Sequence, residues 1–330
     1  MKKFLKVLKW IGIVLVVLVI GFVVFVYAAS NRKYDAPYPE ITASQDSSII
    51  ARGEYLAFGP AHCVDCHTPM SEFQRVRMGE KVPLSGGLDF VIPPGVLHAP
   101  NITPDPETGI GTFTDGEIAR TLRYGVKRDG SPLIDMMPFY DISDEDLTAI
   151  ISYLRSAPPV KNKRPVSEWN FLGKAVHAFG LIKPMGDGNV PPAPERDSTA
   201  AYGKYLAESV ANCRGCHTDR NLMTGAYVGI DYAGNQQFEV LNDKGEIISG
   251  KHLVTPNLTP DPETGRIALW PQDVFIARIR AGEAIPGSPM PWSAYKTMTD
   301  ADLIAIYKYL HSLDPVKQAT PVGIQDGDPM

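Results

Sequence analysis

Two copies of one five-residue pattern constrain this chain more than any other feature. Cys63-Val64-Asp65-Cys66-His67 and Cys213-Arg214-Gly215-Cys216-His217 both have the form C-x-x-C-H. Two thiols one helical turn apart can bond to the two vinyl groups of one porphyrin, and the histidine beside them can bind the iron. The pattern therefore predicts two covalently attached haem c groups and a protein that moves electrons.

The cysteine count favours haem over two other kinds of site. All four cysteines of the 330 residues lie in these motifs, which leaves none for a structural disulfide. A thioredoxin-like redox pair has no need for the trailing histidine. A zinc site made of two C-x-x-C pairs normally keeps them about 15–20 residues apart, far closer than they are in this chain. The predicted attachment residues are Cys63, Cys66, Cys213 and Cys216, and the predicted axial ligands are His67 and His217.

The chain is an internal duplication. Asn101–Gly109 and Asn257–Gly265 share the string Asn-x-Thr-Pro-Asp-Pro-Glu-Thr-Gly, and Asp146–Ile150 matches Asp302–Ile306 at the same offset. Each repeat is long enough to be one domain, and the segment between them is rich in proline and glycine. The predicted order is an anchor at 1–29, a spacer at 30–46, a domain at 47–160, a linker at 161–197 and a domain at 198–330.

Apolar spacing and capping residues within each repeat predict helices, and hence an all-α fold. In the first repeat the helices are predicted over Ser47–His62, Thr114–Tyr124 and Glu145–Arg155. Ser143-Asp144-Glu145-Asp146 is typical of a capping box, and Thr299 with Asp302 has the same role before a helix that ends near Leu310.

Two segments depart from this pattern. Within the linker, Trp169–Leu181 could form a short amphipathic helix. In the second repeat, Tyr227–Ile248 contains the residues that the first repeat lacks, and Tyr232–Asn235 and Asn242–Gly245 are typical of hairpin turns. This insertion is either a partner-binding element or a longer loop.

The N-terminal segment predicts a membrane anchor. Trp10–Ala29 is a run of 20 residues without a charge, which as a helix spans about 30 Å. A cleaved signal peptide is the alternative, with Val26-Tyr27-Ala28 as a weak cleavage site, but signal apolar regions are only about 7–15 residues long. Lysines precede the run, so the positive-inside rule predicts a cytoplasmic N-terminus and periplasmic haem domains at a bacterial inner membrane. These lysines are Lys2, Lys3, Lys6 and Lys9.

The charge distribution excludes a nucleic-acid partner. The net charge is −5, and the chain has no basic patch of the kind that binds phosphate backbones. An acidic surface could steer a basic partner such as a small soluble cytochrome, or simply keep the domain soluble.

A methionine before the last helix of each repeat is predicted as the second iron ligand. Methionine sulfur favours ferrous iron and raises the reduction potential. Met290 precedes Pro291 in the second repeat, and Met137 precedes Pro138 in the first, where Met136 is the competing candidate. His98 and His252 could instead give bis-histidine iron. They are not at matched positions, so we interpret them as surface or propionate-contacting residues.

The ordered combination of these motifs resembles a class I cytochrome c domain, twice over. More narrowly, the chain resembles the cytochrome c subunits of bacterial membrane-bound alcohol and aldehyde dehydrogenases. The resemblance covers residues 47–160 and 198–316. It implies an all-α fold and two His/Met haems, one held by Cys63, Cys66, His67 and Met137, the other by Cys213, Cys216, His217 and Met290. Many such subunits carry three haems and a C-terminal anchor, and in both respects this chain differs.

Three functions are compatible with these features. The first is an electron-transfer protein without catalytic residues. It would take electrons from a dehydrogenase or quinol-oxidising complex and pass them to a soluble cytochrome or terminal oxidase. The second is a dihaem enzyme, such as a peroxidase or thiosulfate-oxidising cytochrome, which needs one open iron site. The third, compatible with the first, is a subunit that rides on a larger respiratory complex.

Overall fold

The structure is a computed structural model and describes residues 2–137, 139–221, 227–242 and 246–329. Within these ranges the first half of the chain contains a 3₁₀ helix, Met70–Glu72, in addition to seven α-helices and three strands. In order they are α1 Lys2–Ala29, α2 Ser47–Phe58, α3 Cys63–His67, α4 Phe73–Arg77, β1 Asp89–Ile92, β2 Gly95–His98, α5 Asp115–Tyr124, α6 Asp144–Ser156, β3 Glu168–Trp169 and α7 Phe171–Ala178.

The described part of the second half follows a similar order of helices and strands. Its described elements are α8 Ala200–Tyr205, a π-helical turn Leu206–Val210, α9 Cys213–His217, β4 Gln237–Leu241, β5 Ile247–Val254, α10 Gln272–Arg280, α11 Trp292–Tyr295, α12 Asp300–His311 and β6 Ile324–Asp326.

Three of the predicted helices are present and begin at the predicted capping residues. The Thr114 hydroxyl accepts from the Glu117 amide while the Glu117 side chain accepts from the Thr114 amide, a complete capping box before α5. Ser143 caps α6 through the Asp146 amide, and Thr299 caps α12 in the same way. The predicted first helix is shorter than expected. It ends at Phe58, since Gly59 and the proline after it break the helical path before the first cysteine motif.

The all-α prediction is wrong. Of the described residues 39% are helical, and these residues form two three-stranded antiparallel sheets, ordered β1-β2-β3 and β4-β5-β6. Each sheet is a local hairpin completed by a distant strand, β3 from the expected linker and β6 from the C-terminal tail. Four of the strands have only two to four residues, which is too short to show an alternation of apolar and polar side chains in the sequence. They are β1, β2, β3 and β6. The pairing partners of β3 and β6 lie some 70 residues away, which no local pattern reveals.

The 227–248 insertion was partly predicted. β4 pairs with β5 as the expected hairpin, although most of the paired β5 residues lie beyond Ile248. The turn at Tyr232–Asn235 is present, with Tyr232, Gly234 and Asn235 all at positive φ. The second expected turn, Asn242–Gly245, lies largely outside the described residues, as does Pro138 of the first Met-Pro pair.

The first and last helices of each repeat cross in direct backbone contact. α2 packs on α6, and α8 packs on α12. A Cβ atom on Gly53 would lie 1.8 Å from the carbonyl oxygen of Ala149, and one on Gly203 would lie 1.9 Å from that of Ala305. Real Cβ atoms do not approach so closely, so only glycine permits these crossings.

The two halves hold one another by an exchange of tyrosines. The Tyr55 hydroxyl of the first half donates to Asp302 of the second at 2.5 Å, and the Tyr205 hydroxyl of the second donates to Asp146 of the first at 2.9 Å. Tyr55 and Tyr205 are equivalent in the duplication, as are the two aspartates. The halves are therefore related by an approximate two-fold axis, and a continuous apolar core extends from one to the other. The domain boundaries stay a prediction.

Gly53→Ala should destabilise the chain, because a methyl group at the α2–α6 crossing forces the two backbones apart. Overpacking of this kind costs about 1–3 kcal/mol or more. Gly116→Ala in α5 is the matched control, since its Cβ would meet its nearest neighbour, the Pro39 carbonyl, at an ordinary 3.6 Å. Thermal unfolding followed by circular dichroism compares the two. Equal melting temperatures for Gly53→Ala and the parent would contradict the close crossing.

Candidate haem attachment sites

Each C-x-x-C-H motif forms one isolated helical turn. α3 and α9 are preceded by a residue in the left-handed region, His62 with φ 40° and Asn212 with φ 50°. This residue redirects the chain between the preceding helix and the short one, and an asparagine or histidine tolerates the conformation better than most side chains. Residues three apart on a helix lie on the same side. The two thiols of each motif therefore share a face, and all four cysteines are free.

Both motif histidines are buried and oriented by a proline carbonyl. His67 Nδ1 lies 2.8 Å from the Pro100 carbonyl oxygen, and His217 Nδ1 lies 3.1 Å from that of Pro256. A carbonyl can only accept a hydrogen bond, so Nδ1 carries the proton and Nε2 presents its lone pair. Metal-binding histidines are held in this way in general. The arrangement suits ligation of an iron by Nε2 in both repeats.

The Asn-x-Thr-Pro-Asp loops place these two carbonyls. Asn101 Nδ2 donates to the Val160 carbonyl at 2.7 Å while its Oδ1 accepts from the Thr103 amide at 2.9 Å. Asn257 makes the same two bonds at the same distances, to the Val316 carbonyl and the Thr259 amide. The asparagine thus ties the loop to the chain that follows the last helix of its repeat.

The role of Pro100 and Pro256 was missed by sequence reasoning, which used the loop only to align the repeats. A usable sign was present. Proline precedes the asparagine in both copies, and a repeated residue directly before a repeated loop indicates a shared position in the fold.

Burial determines the protonation of the motif side chains. It raises the pKa of Cys63, Cys66 and Cys213 to about 12 and that of Cys216 to about 11. Burial also lowers the pKa of His217 to about 4, and it lowers the pKa of His67 as well. Protonated thiols and neutral imidazoles are the expected forms at neutral pH.

The donor set fits a covalently bound haem better than a zinc ion. Among the described residues, no three His, Cys, Asp or Glu side chains gather as a metal-binding cluster. Each motif instead offers two thiols on one face and one oriented imidazole, the set that a c-type haem requires.

The candidate methionines lie at the edge of the core. Met137 and Met290 are half-buried and pack against the apolar cluster, while Met136 is 40% exposed. In the first repeat this contrast agrees with the choice of Met137 over Met136. The assignment of either sulfur to an iron stays a prediction.

Met290 lies where the two halves meet. It borders a cavity of about 330 Å³ together with Asp65, Met70 and Arg77 of the first half, and the cavity does not extend to His217. Burial raises the pKa of Asp65 to about 7, partly opposed by the charge of Arg77. The structure thus brings Met290 close to the first cysteine motif, whereas the spacing in the sequence pairs it with the second.

The methionine loop of the first repeat likewise contacts the second repeat, at the position related by the approximate two-fold axis. Arg220, three residues after His217, forms an ion pair of 2.7 Å with Asp135, two residues before Met137. Each methionine loop therefore faces the other repeat.

Three of the other five histidines make contacts of their own. His98 Nδ1 lies 2.7 Å from Asp89, and His252 Nδ1 lies 2.8 Å from the Gly327 carbonyl, so both are engaged within their sheets. The ring of His62 packs edge-on against Tyr295 at 5.7 Å.

Comparison with known proteins identifies the kind of protein that these sites define. No family model matches the chain. It is 31% identical over 289 residues to the cytochrome c subunit of the quinone alcohol dehydrogenase of Gluconacetobacter polyoxogenes, covering 83% of this chain and 58% of that subunit. It is 28% identical to the gluconate 2-dehydrogenase cytochrome c subunit of Pantoea cypripedii, covering 94% of this chain and 67% of the relative.

A third relative carries two haems by its name. The diheme cytochrome c-type protein of Cereibacter sphaeroides is 28% identical over 193 residues, which is 56% of this chain and 61% of that protein. The chain spans just under three fifths of the length of the alcohol dehydrogenase subunits that it matches.

The chain is therefore similar to the cytochrome c subunits of dehydrogenases, and such relatives imply covalently bound haem c. This similarity confirms the resemblance seen in the sequence. The relatives are named as cytochrome c subunits, which supports an electron-transfer protein.

Asn257→Ala should weaken the second repeat, because it leaves the Thr259 amide without its partner and removes the 2.7 Å hydrogen bond to the Val316 carbonyl. A buried polar group left unpaired costs about 1–3 kcal/mol. Asn189→Ala is the control, since the Asn189 side chain is exposed and donates to the carboxylate of Asp187, which is exposed as well. Denaturant titration of the haem-loaded chain measures both. A midpoint for Asn257→Ala equal to that of the control would show that the loop does not depend on this side chain.

Proposed function

We propose that this chain is a membrane-anchored dihaem cytochrome that carries electrons across the periplasmic face of a bacterial inner membrane. It would receive them from a dehydrogenase or quinol-oxidising complex and deliver them to a soluble cytochrome or terminal oxidase. The observation that carries the proposal is the duplicated site, in which two Cys-Cys-His turns each have a buried imidazole oriented by a proline carbonyl.

Two haems follow from two equivalent sites. Cys63, Cys66 and His67 would hold one, and Cys213, Cys216 and His217 the other, with Met137 and Met290 as the second iron ligands. Bound in this way, each haem iron would supply a one-electron couple between its ferric and ferrous forms. The protein would contribute a fixed imidazole, burial and a thioether, and of these burial and the thioether stabilise the ferrous form.

A dehydrogenase is the partner best supported, since the alcohol, gluconate and fructose dehydrogenase relatives are named as cytochrome subunits of such enzymes. The other proposed partners rest on chemistry alone. A carrier with one-electron sites can accept electrons from a quinol-oxidising complex as well and can release them to a cytochrome or an oxidase.

The anchor is proposed from the length and surface of α1. It is 28 residues long, apolar enough to cross a membrane, and only 6% of its most apolar window is buried within the protein. A helix so exposed would be poorly solvated by water, whereas a bilayer covers it. The lysines at its start favour a cytoplasmic N-terminus and periplasmic haem domains.

Haem counting tests the proposal directly. The full chain, produced with a haem-maturation system, should contain two haems per polypeptide by pyridine haemochrome assay. Its reduced spectrum should show no response to carbon monoxide, because a methionine closes each iron. One haem per chain would overturn the dihaem assignment. Carbon monoxide binding by the native protein would favour the enzyme with an open iron.

Met290→Ala should lower the potential of one haem and open its iron to carbon monoxide. Axial ligands set the reduction potential of a haem over a range of about 0.8 V, and loss of a thioether ligand lowers that potential. A redox titration measures the change.

In the first repeat, Met137→Ala should act in the same way and Met136→Ala should not. The reverse order would assign the ligand to Met136.

A one-haem background decides which haem Met290 serves. Cys213→Ala with Cys216→Ala should leave only the first haem attached. Met290→Ala added to that background should then leave the remaining potential unchanged. A lowered potential would show that Met290 closes the iron of the first repeat, across the cavity that it borders with Asp65.

A further inference from the structure

α7, from the segment between the repeats, packs against the C-terminal end of α1. The Phe179 ring lies 5.6 Å from the Phe25 ring and 6.3 Å from the Phe22 ring, and the Phe171 ring lies 6.2 Å from that of Phe22. Lys174 Nζ lies 4.5 Å above the Tyr27 ring. α1 is thus held laterally by a second element, and does not simply lead into the first repeat.

The opposite side of α7 is fixed to the first repeat. A Cβ on Gly173 would lie 2.2 Å from the Pro94 carbonyl oxygen, so the helix rests directly on the β1–β2 hairpin. Asn170 caps α7 and also donates from Nδ2 to the Pro93 carbonyl at 2.7 Å. β3, which immediately precedes α7, pairs with β2. The position of α7 relative to the sheet is therefore determined by backbone contacts.

The spacer after α1 closes the same assembly. The Tyr34 hydroxyl donates to the Ile182 carbonyl at 2.9 Å, just after α7. The Arg32 guanidinium lies against Gly180, whose φ of 64° turns the chain there. α1, the spacer, α7 and the sheet thus form one connected unit with contacts on each side.

These contacts set the depth of α7. Phe25 and Phe22 lie four and seven residues before the end of α1 at Ala29, which is about 6 and 10 Å back along the helix at 1.5 Å per residue. A side chain packed on both of them lies below the plane at which α1 leaves the bilayer. Phe179 is therefore at the level of the lipid, provided that α1 is a membrane anchor.

The outward surface of this segment has the composition of an interfacial helix. Leu181 is 64% and Phe179 55% exposed, and Phe171 and Leu172 are exposed as well. We call these four residues the α7 face. Such apolar surface is unfavourable in water, and the basic side chains of Lys174 and Lys183 beside it are placed to reach headgroups.

We propose that the α7 face lies in the bilayer leaflet from which α1 emerges, as a second membrane contact of the chain. The inference rests on the proposed anchor and adds to it. A single helix followed by a flexible spacer would let the haem domains tumble, whereas two contacts on one rigid unit hold the first repeat in one orientation to the membrane surface.

Cysteine accessibility tests this in the full chain, loaded with haem and reconstituted into vesicles of phosphatidylethanolamine and phosphatidylglycerol alone. Leu181→Cys should react with a water-soluble maleimide about tenfold or more slowly than Leu269→Cys, since hydrocarbon suppresses the thiolate. Leu269 is the matched control, 76% exposed in the second repeat. Both should react fully after denaturation in dodecyl sulfate.

Two further samples keep the possible failures apart. The parent chain should stay unlabelled, because attached haem consumes its four thiols, and Val17→Cys in the middle of α1 should be protected. Labelling of the parent would contradict the haem assignment, and fast labelling at Val17 would contradict the anchor. With both of these as expected, fast labelling of Leu181→Cys overturns the proposed membrane contact. Protection that appears in native membranes and is absent from the vesicles also overturns it, in favour of a protein partner.

Discussion

The backbone contact at Gly53 and Gly203 is the constraint on which the rest of each repeat depends. It lets the first and last helices cross with their main chains touching, and the short cysteine helix follows directly from the first of them. The loop anchored by Asn101 or Asn257 is tied to the chain just after the last helix. The two thiols are thus positioned by the chain that follows the first helix, and the proline carbonyl by the chain that follows the last. A wider crossing would separate them.

The oriented histidine shows how a structural loop serves a chemical site. None of the side chains of the Asn-x-Thr-Pro-Asp string is among the predicted haem ligands. Its internal hydrogen bonds hold a backbone carbonyl that fixes one imidazole nitrogen and frees the other. The equal distances in the two copies, 2.7 and 2.9 Å at Asn101 and again at Asn257, show that the duplication preserved this function of the loop.

Local features were predictable from the sequence, and long-range ones were not. Caps at Thr114, Ser143 and Thr299 located helices because a cap acts within one turn. The haem motifs were visible for the same reason, since two cysteines and one histidine within five positions define each of them. The all-α prediction was wrong because β3 and β6 acquire strand structure only by pairing with hairpins about 70 residues earlier. The proximity of Met290 to Asp65 likewise depends on how the halves pack, which spacing within one repeat cannot show.

The exchanged tyrosines, Tyr55 to Asp302 and Tyr205 to Asp146, have a consequence for how the molecule is assembled. Contacts related by a two-fold axis are those that two copies of a single repeat would make as a symmetric dimer. Covalent linkage makes the same association intramolecular, so it acts at an effective concentration that does not fall on dilution. An interface of these two hydroxyl–carboxylate bonds and a shared apolar core then suffices, and both haem sites are present in equal number in every molecule.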